Sequence, residues 1–493
     1  MHNSKKYTNF AASLSYTIME IIGRSAEKQR LETLYNSKSS EFLVVYGRRR
    51  VGKTYLIRQH FEDRFAFIAT GMYKKPQEVQ LTQFAMAISE YFEMDMPSFN
   101  TWLEAFAMLK KCLQTSKLHR KVVFIDEISW FDTTGSDFIS ALEWFWNGWA
   151  ASQSDIFLIT CGSATSWITD NLLADKGGLF NRVTCQMYLL PFTLQETEQY
   201  LLSHGIQWSR YDITECYMVL GGIPYYLKQL DAQLSYTANI DELFFKKNGR
   251  LKDEFEHLYK TLFENSAYYI KLVEVLSGKT IGLTRDEICV AAKVGNNGLL
   301  SKALRDLVNC NIIRGYNYYG KAKNGIVYQL SDYFTMFYFA FIKQHYGRDE
   351  HFWTLTIDYP ARRTWAGNMF EQVCKDHIAQ IKRTIGILGV VSEQSTWYAK
   401  PEKGSTTRGA QIDLLISRRD RVINVCEMKF SQNEYVIDAD YEMNLRNKLG
   451  AFRNATKTHD ALNITMITTY GVKANSHSSI VQSQITLDDL FGE

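Results

Sequence analysis

A short loop of glycine and basic residues has the clearest chemical meaning in this sequence. Residues 47–54 are Gly-Arg-Arg-Arg-Val-Gly-Lys-Thr and directly follow the apolar run 42–46. Glycines at this spacing let backbone N–H groups point into the loop, while the lysine reaches the β- and γ-phosphates and the threonine hydroxyl ligates Mg²⁺. The pattern therefore predicts a nucleotide-binding loop, against the alternative of a simple glycine turn. The predicted nucleotide contacts are Gly47, Arg50, Val51, Gly52, Lys53, Thr54 and Tyr55.

Two acidic residues end a second apolar run. Residues 121–125 are Lys-Val-Val-Phe-Ile and lead into Asp126 and Glu127. Asp126 can hold Mg²⁺ through water, and Glu127 is placed to polarise the attacking water. A strand that ends in a solvated turn would look the same, but the phosphate loop upstream favours the catalytic interpretation. A third run, 156–162, leads into Ser163, which could sense the γ-phosphate.

The C-terminal third contains a second group of charged residues. Asp413 lies near the start of one predicted strand, and a later strand ends in Glu427-Met428-Lys429. Asp413 and Glu427 could converge on a divalent metal ion, Mg²⁺ or Mn²⁺. Because alternate residues of a strand share a face, Lys429 lies on the same face as Glu427. Glu371 lies upstream in a helical run. Triplets of this kind are common, so the prediction depends on the flanking strands and on Asp413.

The elements that must position these residues change along the chain. Apolar runs at 42–46, 65–69, 122–125 and 156–160 alternate with helical patterns, which predicts a parallel sheet with helices on both faces and the nucleotide at its carboxyl edge. From residue 194 to about 260 the periodicity is helical. Residues 266–345 are typical of a winged helix, and segment 279–323 has eight Lys/Arg against three Asp/Glu, which could neutralise DNA phosphates.

The first half of the chain resembles the archaeal-type ATPases. The similarity lies in the entry segment 21–27, the phosphate loop, the Asp126-Glu127 pair, Gly162-Ser163, segment 178–182 and the Gly-Gly-Ile-Pro turn that ends at Pro224. The resemblance implies that Gly23 and Arg24 lie near the adenine, that Ser163 is a sensor, that Arg182 acts on the γ-phosphate and that the turn at Pro224 reports the nucleotide state to a helical lid. Asn181 replaces the glycine usual in the family, which weakens the role of Arg182.

The order of Glu371, Asp413 and Glu427-x-Lys429 resembles the PD-(D/E)xK nuclease superfamily, with Ile412 in place of proline.

The predicted fold is α/β: a P-loop ATPase core with a parallel sheet, a helical lid, a winged helix and a C-terminal α/β restriction-endonuclease-like domain. The predicted boundaries are 1–18 for an extension, 19–192 for the core, 193–262 for the lid, 263–345 for the winged helix and 346–493 for the nuclease-like domain. The ATPase-like pattern favours Met19 over Met1 as the native start.

Length and composition fit such an assembly. A chain of 493 residues with 46% apolar residues is too long for one core, and three or four domains are expected. Its eight cysteines form no C-x-x-C pair, which favours a reducing cytoplasm, and no run of 18 apolar residues predicts a membrane span. The net charge of +3 identifies no partner.

The sequence thus predicts a cytoplasmic Mg²⁺-dependent ATPase whose nucleotide state controls a DNA-directed C-terminal module, an endonuclease in the preferred interpretation. A non-cleaving ATP switch that binds DNA or a protein partner is the main alternative, and a chaperone-like remodeller is a third. A homo-oligomer is compatible with each.

Overall fold

The computed structural model describes residues 21–174, 178–179, 181–320, 326–345, 349–399 and 409–492. The predicted extension 1–18 and the predicted start at Met19 lie outside these residues. Within the described parts of the chain, no helix has the length and apolar character needed to cross a membrane.

The N-terminal part is a parallel sheet. Its strands are β1 (Glu41–Tyr46), β2 (Phe65–Thr70), β3 (Lys121–Asp126), β4 (Ile156–Gly162) and β5 (Cys185–Tyr188). Its helices are α1 (Ser25–Tyr35), α2 (Lys53–Phe61), α3 (Gln77–Phe92), α4 (Trp102–Thr115), α5 (Phe138–Gly148) and α6 (Thr165–Ile168). The strand order is β2-β3-β4-β1-β5, and all neighbouring strands are parallel.

Both faces of this sheet are buried, as the sequence predicts. Leu43 and Val45 of β1 belong to one hydrophobic cluster, whereas Phe42 and Val44 belong to another. Because successive side chains of a strand point to opposite faces, each face of β1 packs into its own core. The carboxyl ends of β1, β3 and β4 therefore meet at one edge, where the predicted catalytic residues lie.

Helices follow the sheet. They are α7 (Leu194–Ser203), α8 (Arg210–Leu220), α9 (Pro224–Leu227), α10 (Tyr236–Ile240) and α11 (Glu254–Leu262). Thr193 and Glu196 form a capping box that fixes the start of α7. Gly221 and Gly222 end α8 with φ angles of 67° and 63°, and a Cβ at Gly222 would lie 2.3 Å from the carbonyl oxygen of Phe192. This close approach requires glycine at position 222.

The next part combines helices with a small antiparallel sheet. It comprises α12 (Ser266–Ser277), β6 (Leu283–Thr284), α13 (Arg285–Ala292), α14 (Gly298–Asn309), β7 (Ile313–Asn317) and β8 (Ile326–Leu330), with strand order β6-β8-β7. A capping box formed by Thr284 and Glu287 fixes the start of α13. The chain continues through α15 (Tyr333–Phe337), α16 (Lys343–His345) and α17 (Phe352–Leu355).

The C-terminal part is a mixed sheet with helices. Its elements are α18 (Pro360–Asp376), α19 (Ile378–Thr384), β9 (Ser392–Ala399), β10 (Ala410–Arg418), β11 (Val422–Lys429), α20 (Ala439–Thr456), β12 (Ala461–Thr468), β13 (Ser483–Ile485) and α21 (Leu487–Leu490). The strand order is β13-β12-β11-β10-β9. Strands β9, β10 and β11 are antiparallel, whereas β11, β12 and β13 are parallel, with α20 as the crossover between β11 and β12.

One hydrophobic cluster connects all these parts. It includes Leu31 on α1, Leu201 on α7, Leu304 on α14, Phe370 on α18 and Phe491 after α21. The apolar core is therefore continuous from the parallel sheet to the C-terminal sheet.

Candidate functional site

The phosphate loop connects β1 to α2 and encloses its own lysine. A Cβ at Gly47 would lie 2.5 Å from the carbonyl oxygen of Leu189, and Gly52 has a φ of 92°, so both ends of the loop require glycine. The Lys53 ammonium is buried and donates to the carbonyl oxygens of Gly47 and Arg48, both at 2.9 Å. Burial lowers the pKa of Lys53. A buried cation at the start of a helix is suited to binding an anion.

The predicted Mg²⁺ ligands lie side by side. The Thr54 hydroxyl donates to Asp126 Oδ1 at 3.1 Å, and the Glu127 backbone N–H donates to the same oxygen at 3.0 Å. Asp126 is buried, and burial raises the pKa of its carboxyl group. A hydroxyl and a carboxylate beside the phosphate loop are oxygen ligands of the kind Mg²⁺ takes in nucleotide sites, so these residues fit the ion.

Ser163 holds the carboxylate of Glu127. Its hydroxyl donates to Glu127 Oε2 at 3.1 Å, and its backbone N–H donates to the same oxygen at 3.3 Å. Burial raises the pKa of Glu127, and the charge of Lys53 opposes this effect. Glu127 also has a left-handed backbone, with φ of 46°, which is rare for a residue with a Cβ and concentrates at functional sites. Ser163 thus contacts the candidate catalytic base.

Gly23 and Arg24 lie against the phosphate loop and α7. Arg24 donates from Nη2 to the Val51 carbonyl oxygen at 3.3 Å, and its guanidinium lies 4.7 Å from the ring centre of Phe192. The backbone N–H of Arg24 donates to Glu196 Oε1 at 2.7 Å. The segment before α1 is therefore fixed beside the loop, as a nucleoside-binding role requires.

Two arginines of the loop are bound by distant acidic residues. Arg48 is only 2% exposed and forms an ion pair with Asp332, with Nη2 and Oδ1 2.6 Å apart. Arg50 pairs with Glu254, and its guanidinium lies 4.0 Å from the ring centre of Tyr225. The side chain of Arg50, predicted among the nucleotide contacts, therefore contacts the helices that follow the sheet.

The remaining predicted residues lie at different distances from this centre. Pro224 opens α9 against the loop, because a Cβ at Gly52 would lie 4.0 Å from its Cγ. Tyr55 is 47% exposed on α2. Arg182 is exposed before β5, with its backbone N–H bound to the Leu179 carbonyl oxygen. Among the described contacts, none brings the Arg182 side chain to Lys53 or Glu127.

The four predicted residues of the C-terminal part form one cluster. Leu414 pairs with Cys426 across β10 and β11, so Asp413 and Glu427 are the next residues of the two strands. Burial raises the pKa of Glu371 to about 8, the negative charge of Asp413 adds to this effect, and Lys429 opposes it. The carboxylates of β10, β11 and α18 therefore lie within electrostatic range of one another.

One tyrosine hydroxyl and two lysine ammonium groups contact the carboxylate of Glu427. Tyr441 donates its hydroxyl to Oε1 at 2.7 Å, Lys448 donates to Oε2 at 2.7 Å, and Lys429 Nζ lies 3.1 Å from Oε1. The described residues contain no group of three His, Cys, Asp or Glu side chains placed to hold a metal ion. The arrangement thus differs from the predicted metal site, since Glu427 would have to release its lysines to ligate a metal.

Several of these residues were not identified from the sequence. Glu196 shows only as a helix-capping residue, and Asp332, Glu254, Tyr441 and Lys448 have no local motif at all. Lys448 lies on α20, where it looks like any surface lysine. Pairing across the fold, which a local pattern does not encode, gives these residues their roles.

Comparison with known proteins agrees with the geometry of the phosphate loop. Residues 22–230 match a family described as an ATPase domain predominantly from Archaea. An uncharacterized protein of Methanocaldococcus jannaschii is 23% identical over 419 residues, which cover 83% of this chain and 87% of that protein. An uncharacterized ATP-binding protein of the same organism is 39% identical over 49 residues, which cover 10% of this chain and 83% of that protein.

Solved structures also align with the chain. A Walker-type ATPase of Pyrococcus abyssi aligns with a TM-score of 0.45 and 16% identity, covering 65% of this chain and 96% of that protein. The ORC2 protein of Aeropyrum pernix, in its ADPNP and ADP complexes, aligns with a TM-score of 0.40 and 12% identity, covering 74% and 97%.

We expect Asp332→Asn to lower the free energy of unfolding by about 3 to 5 kcal/mol, because it leaves the Arg48 charge buried without a counter-ion. Urea denaturation followed by tryptophan fluorescence measures the change. Asp420→Asn is the matched control, since the pair of Asp420 with Arg418 lies at the surface and its loss should destabilise the fold far less. Equal destabilisation by the two variants would contradict the importance of the buried pair.

Proposed function

We propose that the protein is a Mg²⁺-dependent ATP hydrolase that controls its C-terminal domain, since residues 22–230 match a family described as an ATPase domain predominantly from Archaea. The observation that carries the proposal is the convergence of Lys53, Thr54, Asp126 and Glu127 at the carboxyl edge of the parallel sheet. Phosphoryl transfer to water requires a cation at the phosphates, ligands for Mg²⁺ and a group that orients the water, and the types and mutual contacts of these residues suit those tasks.

Each residue has a distinct task in this proposal. Lys53 exchanges its loop carbonyl partners for the β- and γ-phosphates, since its ammonium already lies within the loop. Thr54 and Asp126 hold Mg²⁺, which neutralises phosphate charge. Glu127 orients and polarises the attacking water, and Ser163 keeps its carboxylate in position.

Lys53→Ala and Glu127→Gln separate binding from hydrolysis. Lys53→Ala should abolish ATP binding, because the loop loses the cation that compensates the phosphates. Glu127→Gln should bind ATP but turn over on the order of 100-fold more slowly or worse, because it loses the general base. Calorimetric titration with ATP and phosphate release measure the two effects.

The control for these variants is Lys74→Ala, since Lys74 lies in the turn between β2 and α3 and outside the phosphate loop. Wild-type ATPase activity in Lys53→Ala would contradict the proposal outright.

The region from α12 to β8 supports a nucleic-acid-directed role for the rest of the chain. Its three helices, α12 to α14, and its three antiparallel strands, β6 to β8, are the elements expected of a winged helix. A cavity of about 430 Å³ lies between α14 and the strands and is lined by Arg285, Arg305, Tyr316 and Asn317. Arginines together with a tyrosine and an amide suit contacts to phosphates and bases. We assign DNA as the partner of this surface.

Cleavage of that DNA is a second candidate function. It is favoured by the convergence of Glu371, Asp413, Glu427 and Lys429 on one place between α18, β10 and β11. The lysine contacts of Glu427 must open before a divalent metal could bind there. A non-cleaving switch, in which the same charge network stays closed, is the alternative.

Plasmid nicking with Mg²⁺ or Mn²⁺, with and without ATP, distinguishes these two functions. If the cluster cleaves, Asp413→Ala and Glu427→Ala should each lower nicking to background, because both carboxylates are needed at the metal. Glu393→Ala, an exposed residue on β9, should cleave like wild type. Equal nicking by wild type and Glu427→Ala would assign the activity to a contaminant and leave the switch as the function.

A further inference from the structure

A cavity at the junction of all parts of the chain has walls from both ends of the sequence. Its volume is about 510 Å³, within the range of small-molecule sites. One side is formed by residues 23–27 and by Arg48, and a second by residues 190–199 at the start of α7. The C-terminal domain forms the opposite side through Asp376, His377 and Gln380.

This cavity adjoins the phosphate loop, and its volume is sufficient for a nucleoside. Arg24 both lines it and contacts Val51 of the loop, and Arg48 belongs to the loop itself. Arg48 Nε is buried without a hydrogen-bond partner among the described residues, as expected beside a polar ligand. Phe192 and Ile223 supply apolar surface on the same lining.

Most polar groups of the C-terminal wall already have protein partners. Asp376 accepts from Arg314 at 2.8 Å and from the Tyr333 hydroxyl at 2.7 Å. His377 accepts the Leu194 backbone N–H at Nε2 and bonds the Val373 carbonyl oxygen at Nδ1, which makes its ring neutral and ties α18 to the start of α7. These contacts fix the wall in place.

Gln380 differs from its neighbours on this wall. It lies on α19, is partly buried, and its amide makes no hydrogen bond within the described part of the chain. A glutamine amide carries a donor and an acceptor together, the combination that pairs with the N6 and N7 edge of adenine. Guanine presents two acceptors at the corresponding edge, so the same amide satisfies it less well.

We infer that Gln380 of the C-terminal domain recognises the adenine of ATP and so determines nucleotide specificity from outside the ATPase domain. The inference rests on the proposed ATP hydrolase. Its consequence is that nucleotide binding holds the C-terminal domain against the ATPase domain. Helix α18 connects this cavity wall to the C-terminal charge cluster. Asp376 of the wall is its last residue, and Glu371 of the cluster lies five residues earlier, about 7.5 Å along the helix axis at 1.5 Å per residue.

The test compares three probes on the full chain: ATP, GTP and inorganic tripolyphosphate, which lacks a base. We expect Gln380→Ala to weaken ATP binding roughly five- to 150-fold, as the loss of a bidentate pair of hydrogen bonds to the base implies. Tripolyphosphate affinity should stay within about twofold of wild type, because the phosphates bind the loop. The preference for ATP over GTP should fall. Gln380→Leu, close in size, should behave in the same way.

Two further variants separate the possible failures. Gln394→Ala removes an exposed glutamine of β9 in the same domain and should leave all three affinities unchanged. Lys53→Ala should lose ATP and tripolyphosphate alike. A wild-type protein that binds neither would overturn the proposed function itself. A wild type that binds both, with Gln380→Ala and Gln380→Leu keeping its ATP affinity and its ATP-to-GTP ratio, would overturn only the inference about Gln380.

Discussion

The buried ion pair of Arg48 with Asp332 is the constraint on which the arrangement of the chain depends. A guanidinium that is 2% exposed cannot remain without a counter-charge, so the phosphate loop attains its shape only when the start of α15 lies against it. Asp332 also accepts the Thr335 backbone N–H at 3.0 Å and thereby caps α15. One carboxylate therefore fixes both the loop and the helix, and the shape of the phosphate loop depends on a residue almost 300 positions later in the sequence.

The candidate nucleotide site could be predicted from the sequence because its residues are local in sequence. Gly47 to Thr54 and the Asp126-Glu127 pair lie within single strand-to-helix or strand-to-turn segments, and a parallel sheet brings such segments to one edge. The partners that hold them could not be predicted in this way. Glu196, Glu254 and Asp332 lie on separate elements whose approach is decided by tertiary packing. The exposed position of Arg182 likewise follows from a loop conformation that no periodicity encodes.

The charged residues of the C-terminal part also show that a local sequence pattern does not reveal contacts set by tertiary packing. Asp413 lies across from Glu427 because Leu414 pairs with Cys426 in the antiparallel strands β10 and β11, and side-chain direction in a strand follows its two-residue period. The charge balance of the site was not accessible from that pattern. Lys448 approaches from α20. Burial lowers the pKa of Lys375, and the charges of nearby Asp413 and Glu371 oppose this effect. A cluster that looks acidic in the sequence is therefore close to neutral in the folded chain.

The continuous hydrophobic core has an evolutionary consequence. Leu31, Leu304 and Phe491 belong to one cluster, so apolar contacts join the N-terminal, middle and C-terminal parts within the described residues. Recombination that replaced only the C-terminal segment would leave the faces of α8 and α18 mismatched and the apolar surface of α8 open to water. The segments of this chain are thus expected to be inherited and to diverge as one unit, with compensating substitutions on both sides of each contact.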